Sequence, residues 1–192
     1  IYPSLINSKS EIYQNFKSRK NLYENLLNIP IGFFSKKEIF DIGYGAGESS
    51  LFFSYYNGFV TALDANKKNK PYIDKIFKKI KLKKNLKKKF FISFQKYNYK
   101  KKFDFISAEG WLFTEPNRNH LLRKMFKLLK KNGIICVSFT DRYGSFFEFI
   151  KKMAIYKYLQ LTKVNSIGSK KSLAVSKKLM AGAFKKLSNQ RK

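Results

Sequence analysis

The fold is decided by one stretch, EIFDIGYGAGE at residues 38–48, which has the pattern of a short apolar strand followed by a turn with three glycines. Apolar residues then return at helical spacing, at Leu51, Phe52 and Tyr55, and Gly58 stands where a helix would end. A strand, a glycine turn and a helix let a parallel sheet present backbone N–H groups and a positive helix end to a nucleotide-like ligand. The stretch therefore predicts an α/β fold with a ligand site at this turn.

The spacing of the glycines excludes two common nucleotide sites. A dinucleotide site has the pattern G-x-G-x-x-G, but Glu48 stands where the third glycine would be. A P-loop ends in Gly-Lys followed by Ser or Thr, and no such ending is present. The pattern found here is an acid followed by a glycine at every second position, namely Asp41, Gly43, Gly45 and Gly47. A second acid, Asp64, lies 21 residues beyond Gly43, after the apolar run 59–63.

This pattern resembles the first two sequence motifs of the class I S-adenosylmethionine-dependent methyltransferases. The resemblance covers about residues 8–145 and implies a three-layer α/β/α sandwich with a mostly parallel, Rossmann-like sheet. It also implies S-adenosyl-L-methionine as the cofactor, with Asp41 and the glycine backbone holding the methionine portion and Asp64 accepting hydrogen bonds from both ribose hydroxyls. The expected cofactor-binding residues are Asp41, Gly43, Tyr44, Gly45, Gly47, Asp64, Ala65, Gln95 and Glu109.

Three further apolar runs predict the remaining strands of the sheet. The third strand is expected at 90–94, and in the resemblance the side-chain carbonyl of Gln95 accepts a hydrogen bond from the adenine amino group. The fourth strand is expected at 103–108, and Glu109 after it is a candidate ligand contact or general base. Trp111 either walls the ligand or seals the following helix. The fifth strand is expected at 134–139, after a helix that Pro116 opens and Gly133 caps.

The leading segment, 8–28, is predicted to form an amphipathic helix or helix pair that Pro30 ends. Its apolar side is expected to contain Ile12, Phe16, Tyr23, Leu26 and Leu27. Tyr13 either faces the methionine end of the ligand or packs the helix onto the sheet. A second helix, beginning near Pro71, has one apolar stripe on an otherwise lysine-covered surface.

The loop after the fifth strand carries Asp141, Arg142 and Tyr143, which either act on an acceptor hydroxyl or cap the next helix. The catalytic candidates are therefore Glu109, Asp141 and Tyr143, with no residue assigned. Methyltransferases that act on the exocyclic amino groups of bases resemble one another in a D/N/S-P-P-Y/F motif at this place. Residues 107–111 are Ser-Ala-Glu-Gly-Trp instead, which excludes that class. We expect a small-molecule or glycan acceptor, methylated at a hydroxyl.

The net charge of +29 is concentrated in two segments. Residues 75–102 carry 13 lysines and no acid, and residues 151–192 carry 12 basic residues and no acid. Such runs are either solvated faces or surfaces for polyanions, because clustered lysines displace counterions from phosphates. The lysine runs therefore make an RNA methyltransferase the alternative function, and they also allow contact with an anionic membrane surface. A third possible function is a non-catalytic binding protein with the same fold.

The predicted organisation is a Rossmann-like domain at 1–145 and a basic helical extension or partial lid at 146–192. The two strands that normally complete this fold are not recognisable, and the chain starts at Ile1 rather than Met, so we expect a fragment of a longer protein. Cys136 is the one cysteine, which predicts neither a disulfide nor a metal cluster and favours the cytoplasm. The sequence indicates no oligomeric state.

Overall fold

The computed structural model describes residues 8–82, 85–98, 100–139, 141, 145–161 and 174. The chain divides into two compact units, Ile1–Phe139 and Thr140–Lys192. The strands of the first unit are β1 (Glu38–Ile42), β2 (Phe59–Leu63), β3 (Leu86–Phe90), β4 (Phe103–Ala108) and β5 (Leu129–Val137). Its helices are α1 (Lys9–Asn21), α2 (Glu48–Tyr55), α3 (Lys70–Ile80) and α4 (Arg118–Lys127).

The strands form one sheet in the order β3-β2-β1-β4-β5, and every pair in it is parallel. The chain winds outward from β1 through β2 to β3, then crosses back to place β4 on the other side of β1. The strand order therefore reverses between β1 and β4. In open parallel sheets, ligands bind outside the carboxyl ends of the strands at this point. The predicted α/β sandwich is confirmed.

The core has two parts, one on each face of the sheet. The first lies under α1, α2 and α3, and its large buried side chains are Ile12, Phe16, Tyr23, Phe34, Phe52, Phe53 and Phe77. The second lies under α4 and contains Phe40, Ile42, Phe94, Tyr97, Phe103, Leu121 and Met125. In β1, Ile39 packs into the first part while Phe40 and Ile42 pack into the second, as the alternation of a strand requires. Burial on both faces explains the continuous apolar pattern of β1 and β4.

Helix α1 begins with a capping box, in which the Ser8 hydroxyl accepts from the Glu11 N–H and the Glu11 carboxylate accepts from the Ser8 N–H. A π-helical turn, Leu22–Leu26, follows the helix. The prediction that Leu26 and Leu27 lie on the apolar side is wrong, because they are 69% and 42% exposed. The wider turn, closed by the Leu27 N–H on the Leu22 carbonyl at 3.0 Å, shifts the helical phase after the buried Tyr23.

The prediction of a third strand at 90–94 is wrong. The strand is Leu86–Phe90, and Phe94–Lys96 forms a 3₁₀ turn instead. Because β3 is at the edge of the sheet and, among the described strands, pairs with β2 alone, Lys87 and Lys88 can be exposed. The strand therefore has little of the apolar pattern that marks a central strand.

The boundary between α4 and β5 also differs from the prediction. The helix ends at Lys127 and β5 begins at Leu129, so Gly133 lies inside the strand rather than at a helix cap. The Leu128 carbonyl accepts a hydrogen bond from the Phe103 N–H at 2.8 Å, so pairing with β4 begins directly after the helix. The register then shifts between Phe103 and Phe105, and Asn132 takes a positive φ of 63° before the regular pairing resumes at Ile134.

The apolar spacing within 145–161 predicts an amphipathic helix, and the second unit contains helix α5 at Phe146–Leu161. The same spacing places four apolar residues on one face, and these are between 47% and 59% exposed, namely Phe146, Phe149, Ile150 and Met153. No helix among the described residues is long and apolar enough to cross a bilayer. Apolar spacing also predicts one or two short helices within 165–192, and this segment lies outside the described residues except for Ala174.

Candidate functional site

A cavity of about 1030 Å³ opens at the carboxyl edge of the sheet, where the strand order reverses. Its walls are the glycine turn after β1, the residues after β2, the turn after β3, the residues after β4, and Arg19 of α1. Seven of the nine predicted cofactor-binding residues line it, namely Gly43, Tyr44, Gly45, Asp64, Ala65, Gln95 and Glu109. Asp41 and Gly47 are not in its lining.

Asp64 fixes the shape of the glycine turn from the end of β2. Its Oδ2 accepts from the Gly45 N–H at 2.8 Å and from the Asn69 amide at 3.1 Å. Its Oδ1 accepts from the Asn66 N–H at 2.7 Å. A carboxylate has about four acceptor positions, so one position on Oδ1 remains for a ligand donor. The carboxylate therefore suits one hydroxyl donor in this arrangement, rather than the two predicted from sequence.

Asp41 lies under the turn, not in the cavity wall. Its side chain is 2% exposed and accepts a hydrogen bond from the Ser50 hydroxyl of α2. Burial raises the pKa of the Asp41 carboxyl to about 7, although the Ser50 hydrogen bond acts in the opposite direction. Asp41 therefore ties β1 to the first turn of α2, and the predicted direct contact with the methionine portion remains a proposal.

Gly43 is required by the close approach of Trp111. A β-carbon on Gly43 would lie 2.5 Å from Trp111 Cδ1, and the φ of Gly43 is +78°. The Trp111 Nε1–H donates to the Ile42 carbonyl at 2.7 Å, which fixes the indole beside the turn. Trp111 lines the cavity, in agreement with the first of its two predicted roles, a wall of the ligand site.

Glu109 and Arg19 place opposite charges in the wall of the same cavity. The Arg19 Nη1 donates to the Glu109 carboxylate at 3.2 Å and 3.3 Å. Glu109 also accepts from the Tyr23 and Ser107 hydroxyls, each at 3.0 Å. Burial and the nearby Glu109 carboxylate both raise the pKa of Tyr23. These donors hold Glu109 in place, an arrangement that suits a binding group better than a mobile base.

The Arg19 Nε is buried and makes no hydrogen bond within the part of the chain that the structure describes. The pKa of the guanidinium is raised by Glu109, against the opposing effect of burial, so Arg19 stays charged. Sequence reasoning missed this residue, since no motif marks the leading helix. One signal was available: the chain has five arginines against 36 lysines, and Arg19 is the only arginine before residue 118.

The remaining candidates are placed as follows. Tyr13 is 49% exposed and packs against Phe16 and Tyr55, and it is not in the cavity lining. Asp141 belongs to the second unit, where its carbonyl accepts from the Ser145 N–H at 3.0 Å. Tyr143 lies outside the described residues. Asn66, Asn69, Glu115 and Ser138 line the cavity without having been predicted.

Comparison with known proteins gives one family. Residues 13–152 match the family described as tellurite resistance protein TehB. Among curated proteins, none matches the sequence closely enough to count as a relative.

Solved structures with a similar fold include the following three chains. Coclaurine N-methyltransferase bound to N-methylheliamine and SAH is 21% identical with a TM-score of 0.53, covering 71% of this chain and 38% of that one. PKMT2 from Rickettsia typhi in complex with AdoHcy is 21% identical with a TM-score of 0.54, covering 68% and 28%. The PH0226 protein from Pyrococcus horikoshii OT3 is 20% identical with a TM-score of 0.56, covering 75% and 64%.

The chain therefore spans less than two thirds of the length of these structures, and at such identities the likeness shows the fold. The family match carries more weight, because residues 13–152 contain all five described strands and every residue that lines the cavity. With residues 13–152 matched, the chain belongs to the TehB family of S-adenosylmethionine-dependent methyltransferases and has their class I, Rossmann-like fold.

Proposed function

We propose that the protein binds S-adenosyl-L-methionine in the cavity and transfers its methyl group to a small-molecule acceptor, at a hydroxyl. The observation that carries the proposal is the cavity itself, which joins the glycine turn, Asp64 and the charged pair Arg19–Glu109 in one space. Family membership supports the cofactor and the reaction. The small-molecule acceptor is supported by coclaurine N-methyltransferase, whose structure contains N-methylheliamine.

The residues present fit the ribose and the amino acid end of this cofactor. Asp64 keeps an acceptor position for a ribose hydroxyl. The amino acid end of the cofactor is a zwitterion, and the cavity offers a guanidinium for its carboxylate and the Glu109 carboxylate for its ammonium group. The buried Arg19 Nε has an unused donor for that carboxylate. Gly45, with a φ of +56°, leaves open space in the cavity wall that a β-carbon would occupy.

The cofactor supplies, when bound, a methyl group on a sulfonium, which is an electrophile that needs no further activation. The contribution of the protein is then to bind, to orient and to exclude water, since holding reactants in line provides much of the rate. Trp111 and the glycine turn form the wall at the sheet edge. An acceptor hydroxyl needs a base, and Asp141 and Tyr143 remain proposals for that role.

Replacing Arg19 with Met tests how the cofactor is held. We expect the affinity for S-adenosylhomocysteine to fall about 10- to 100-fold, because a charge-assisted hydrogen bond is worth about 1.5–3 kcal/mol. The affinity for 5′-methylthioadenosine, which lacks the amino acid end, should stay within about threefold. Both are measured by calorimetric titration.

The matched control is Lys17→Met, which removes an exposed positive charge from the same helix. It should leave both affinities unchanged. An equal loss of both ligands in Arg19→Met would contradict the assignment of the amino acid end and indicate general damage to the cavity.

An RNA acceptor is the second candidate, favoured by the exposed lysines of α3 and β3. Lys75, Lys78, Lys81, Lys87 and Lys88 are all exposed. Phosphate-driven binding of RNA would weaken steeply between about 50 and 200 mM salt, whereas binding of a neutral small acceptor would change little. A filter-binding titration with a short RNA at two salt concentrations separates the two candidates.

A further inference from the structure

Two turns from distant strands meet at the rim of the cavity. The turn after β3, Phe94–Lys96, carries Gln95, while Glu115 follows the turn after β4, Leu112–Thr114. In the sheet, β3 and β4 are separated by β2 and β1. The two turns nevertheless touch, with the rings of Phe94 and Trp111 6.4 Å apart at their centres. Gln95 and Glu115 both line the cavity.

A hydrogen bond between these side chains fixes the orientation of the Gln95 amide. The Gln95 Nε2 donates to Glu115 Oε2 at 3.1 Å. A carboxylate only accepts, so the amide must turn its NH₂ group toward Glu115 and its carbonyl oxygen away. Within the described part of the chain, neither side chain makes another hydrogen bond. The rim therefore presents two unused acceptors, Gln95 Oε1 and Glu115 Oε1.

The backbone of Gln95 is held separately. The Lys124 Nζ of α4 donates to the carbonyls of both Phe94 and Gln95, each at 2.8 Å, and lies 5.1 Å from the centre of the Phe94 ring. Burial lowers the pKa of Lys124. Because Lys124 anchors the main chain of the turn, the remaining freedom at Gln95 is the rotation of its side chain, which Glu115 controls.

We propose that Glu115 is a specificity-determining residue, which selects adenine by holding Gln95 so that the pair offers only acceptors to the exocyclic amino group of the base. This inference rests on the proposed function, since it concerns the base of the same cofactor. An adenine amino group donates hydrogen bonds to such a pair. A 6-oxo purine would instead bring its own acceptor against them and leave acceptors unpaired.

The test compares S-adenosylhomocysteine with S-inosylhomocysteine, its 6-oxo counterpart, by calorimetric titration. The wild type should bind the adenosyl compound at least about tenfold more tightly, as expected for one net hydrogen bond. In Glu115→Gln, the new amide can turn either end toward Gln95, so the preference should fall below about threefold. The melting temperature of this half-buried, isosteric variant checks that it is folded.

A double variant that exchanges the two residues, Gln95→Glu with Glu115→Gln, is the sharpest control. It restores one amide and one carboxylate at the rim with the wild-type net charge, and we expect the adenine preference to return. A merely structural role of Glu115 would instead weaken both nucleosides equally and would not be rescued.

Each outcome decides between two claims. If the wild type binds both nucleosides equally, or if Glu115→Gln keeps the wild-type preference, the inference about Glu115 is overturned while the proposed function stands. If the folded wild type binds neither nucleoside, the proposed function fails, and the inference fails with it.

Discussion

Asp41 supports the site from beneath the glycine turn. The carboxyl is buried between β1 and α2, where its partner is the Ser50 hydroxyl. Because burial disfavours the charged form, its pKa in the folded protein is raised from 3.8 to about 7. The folded protein therefore keeps a proton at this residue that the unfolded chain loses.

This difference predicts how stability depends on pH. Between about pH 4 and 7 the native state binds more protons at Asp41, so the free energy of unfolding should decrease as pH rises, by up to about 1 kcal/mol per pH unit from this residue. Asp41→Asn cannot titrate and keeps an acceptor for Ser50. Urea unfolding at four pH values should show a flatter profile for the variant. Parallel profiles would contradict the pKa assigned to Asp41.

At the same scale, the sequence could predict residues that lie next to a strand end but not those that reach the site from elsewhere. Asp64 and Glu109 directly follow β2 and β4, so their place at the carboxyl edge was predictable. Gln95 lies five residues beyond the end of β3, and it was predicted there from a strand placed too late in the chain. Arg19 reaches the cavity from the leading helix, and Glu115 from beyond a 3₁₀ turn. Their positions depend on side-chain packing between separate elements, which no local pattern encodes.

At the scale of elements, the glycine turn is also a packing device. Gly47 is the N-cap of α2 and has a φ of +92°. A β-carbon there would lie 2.7 Å from Ile73 Cγ1 and 3.1 Å from Ile73 Cα, at the first turns of α3. The third glycine of the motif thus lets α2 and α3 approach one another, which differs from the ligand contact expected from sequence.

Gly47→Ala should therefore destabilise the fold. The left-handed backbone costs an alanine about 1–2 kcal/mol, and the overlap with Ile73 adds to it, so we expect a loss of about 2–4 kcal/mol in chemical denaturation. Gly32→Ala is the matched control, because a β-carbon at Gly32 would meet no atom within 4 Å. It should change stability by less than about 0.5 kcal/mol. Equal effects of the two substitutions would refute the packing role of Gly47.

The bounds of the strands could be predicted from the sequence at the centre of the sheet, and less well at its edges. Strands β1, β2 and β4 are buried on both faces, so their apolar runs give their bounds. Strand β3 is marked by lysines, since one side of it has no neighbour in the described sheet. The start of β5 was missed because Lys130 and Lys131 resemble the end of a helix. Lys130 instead pairs with Asp104 of β4 at 2.8 Å.

At the scale of the whole molecule, the strand order explains why a ligand binds where it does. Winding outward from β1 in both directions leaves a gap between the connections at the carboxyl edge, above β1 and β4. The glycine turn fills one side of this gap, and Glu109 and Trp111 fill the other. The excess of basic residues lies in 75–102 and 151–192. The charged side chains that line the cavity are instead one arginine, Arg19, and four acids, namely Glu48, Asp64, Glu109 and Glu115.

The most direct test of the account is a calorimetric titration of the folded protein with S-adenosyl-L-methionine, with NAD as the control. We predict saturable binding of S-adenosyl-L-methionine and no heat of binding with NAD, because Glu48 replaces the glycine of a dinucleotide site and the cavity matches an amino acid zwitterion. Binding of NAD, or of neither compound by a protein that circular dichroism shows to be folded, would contradict the account.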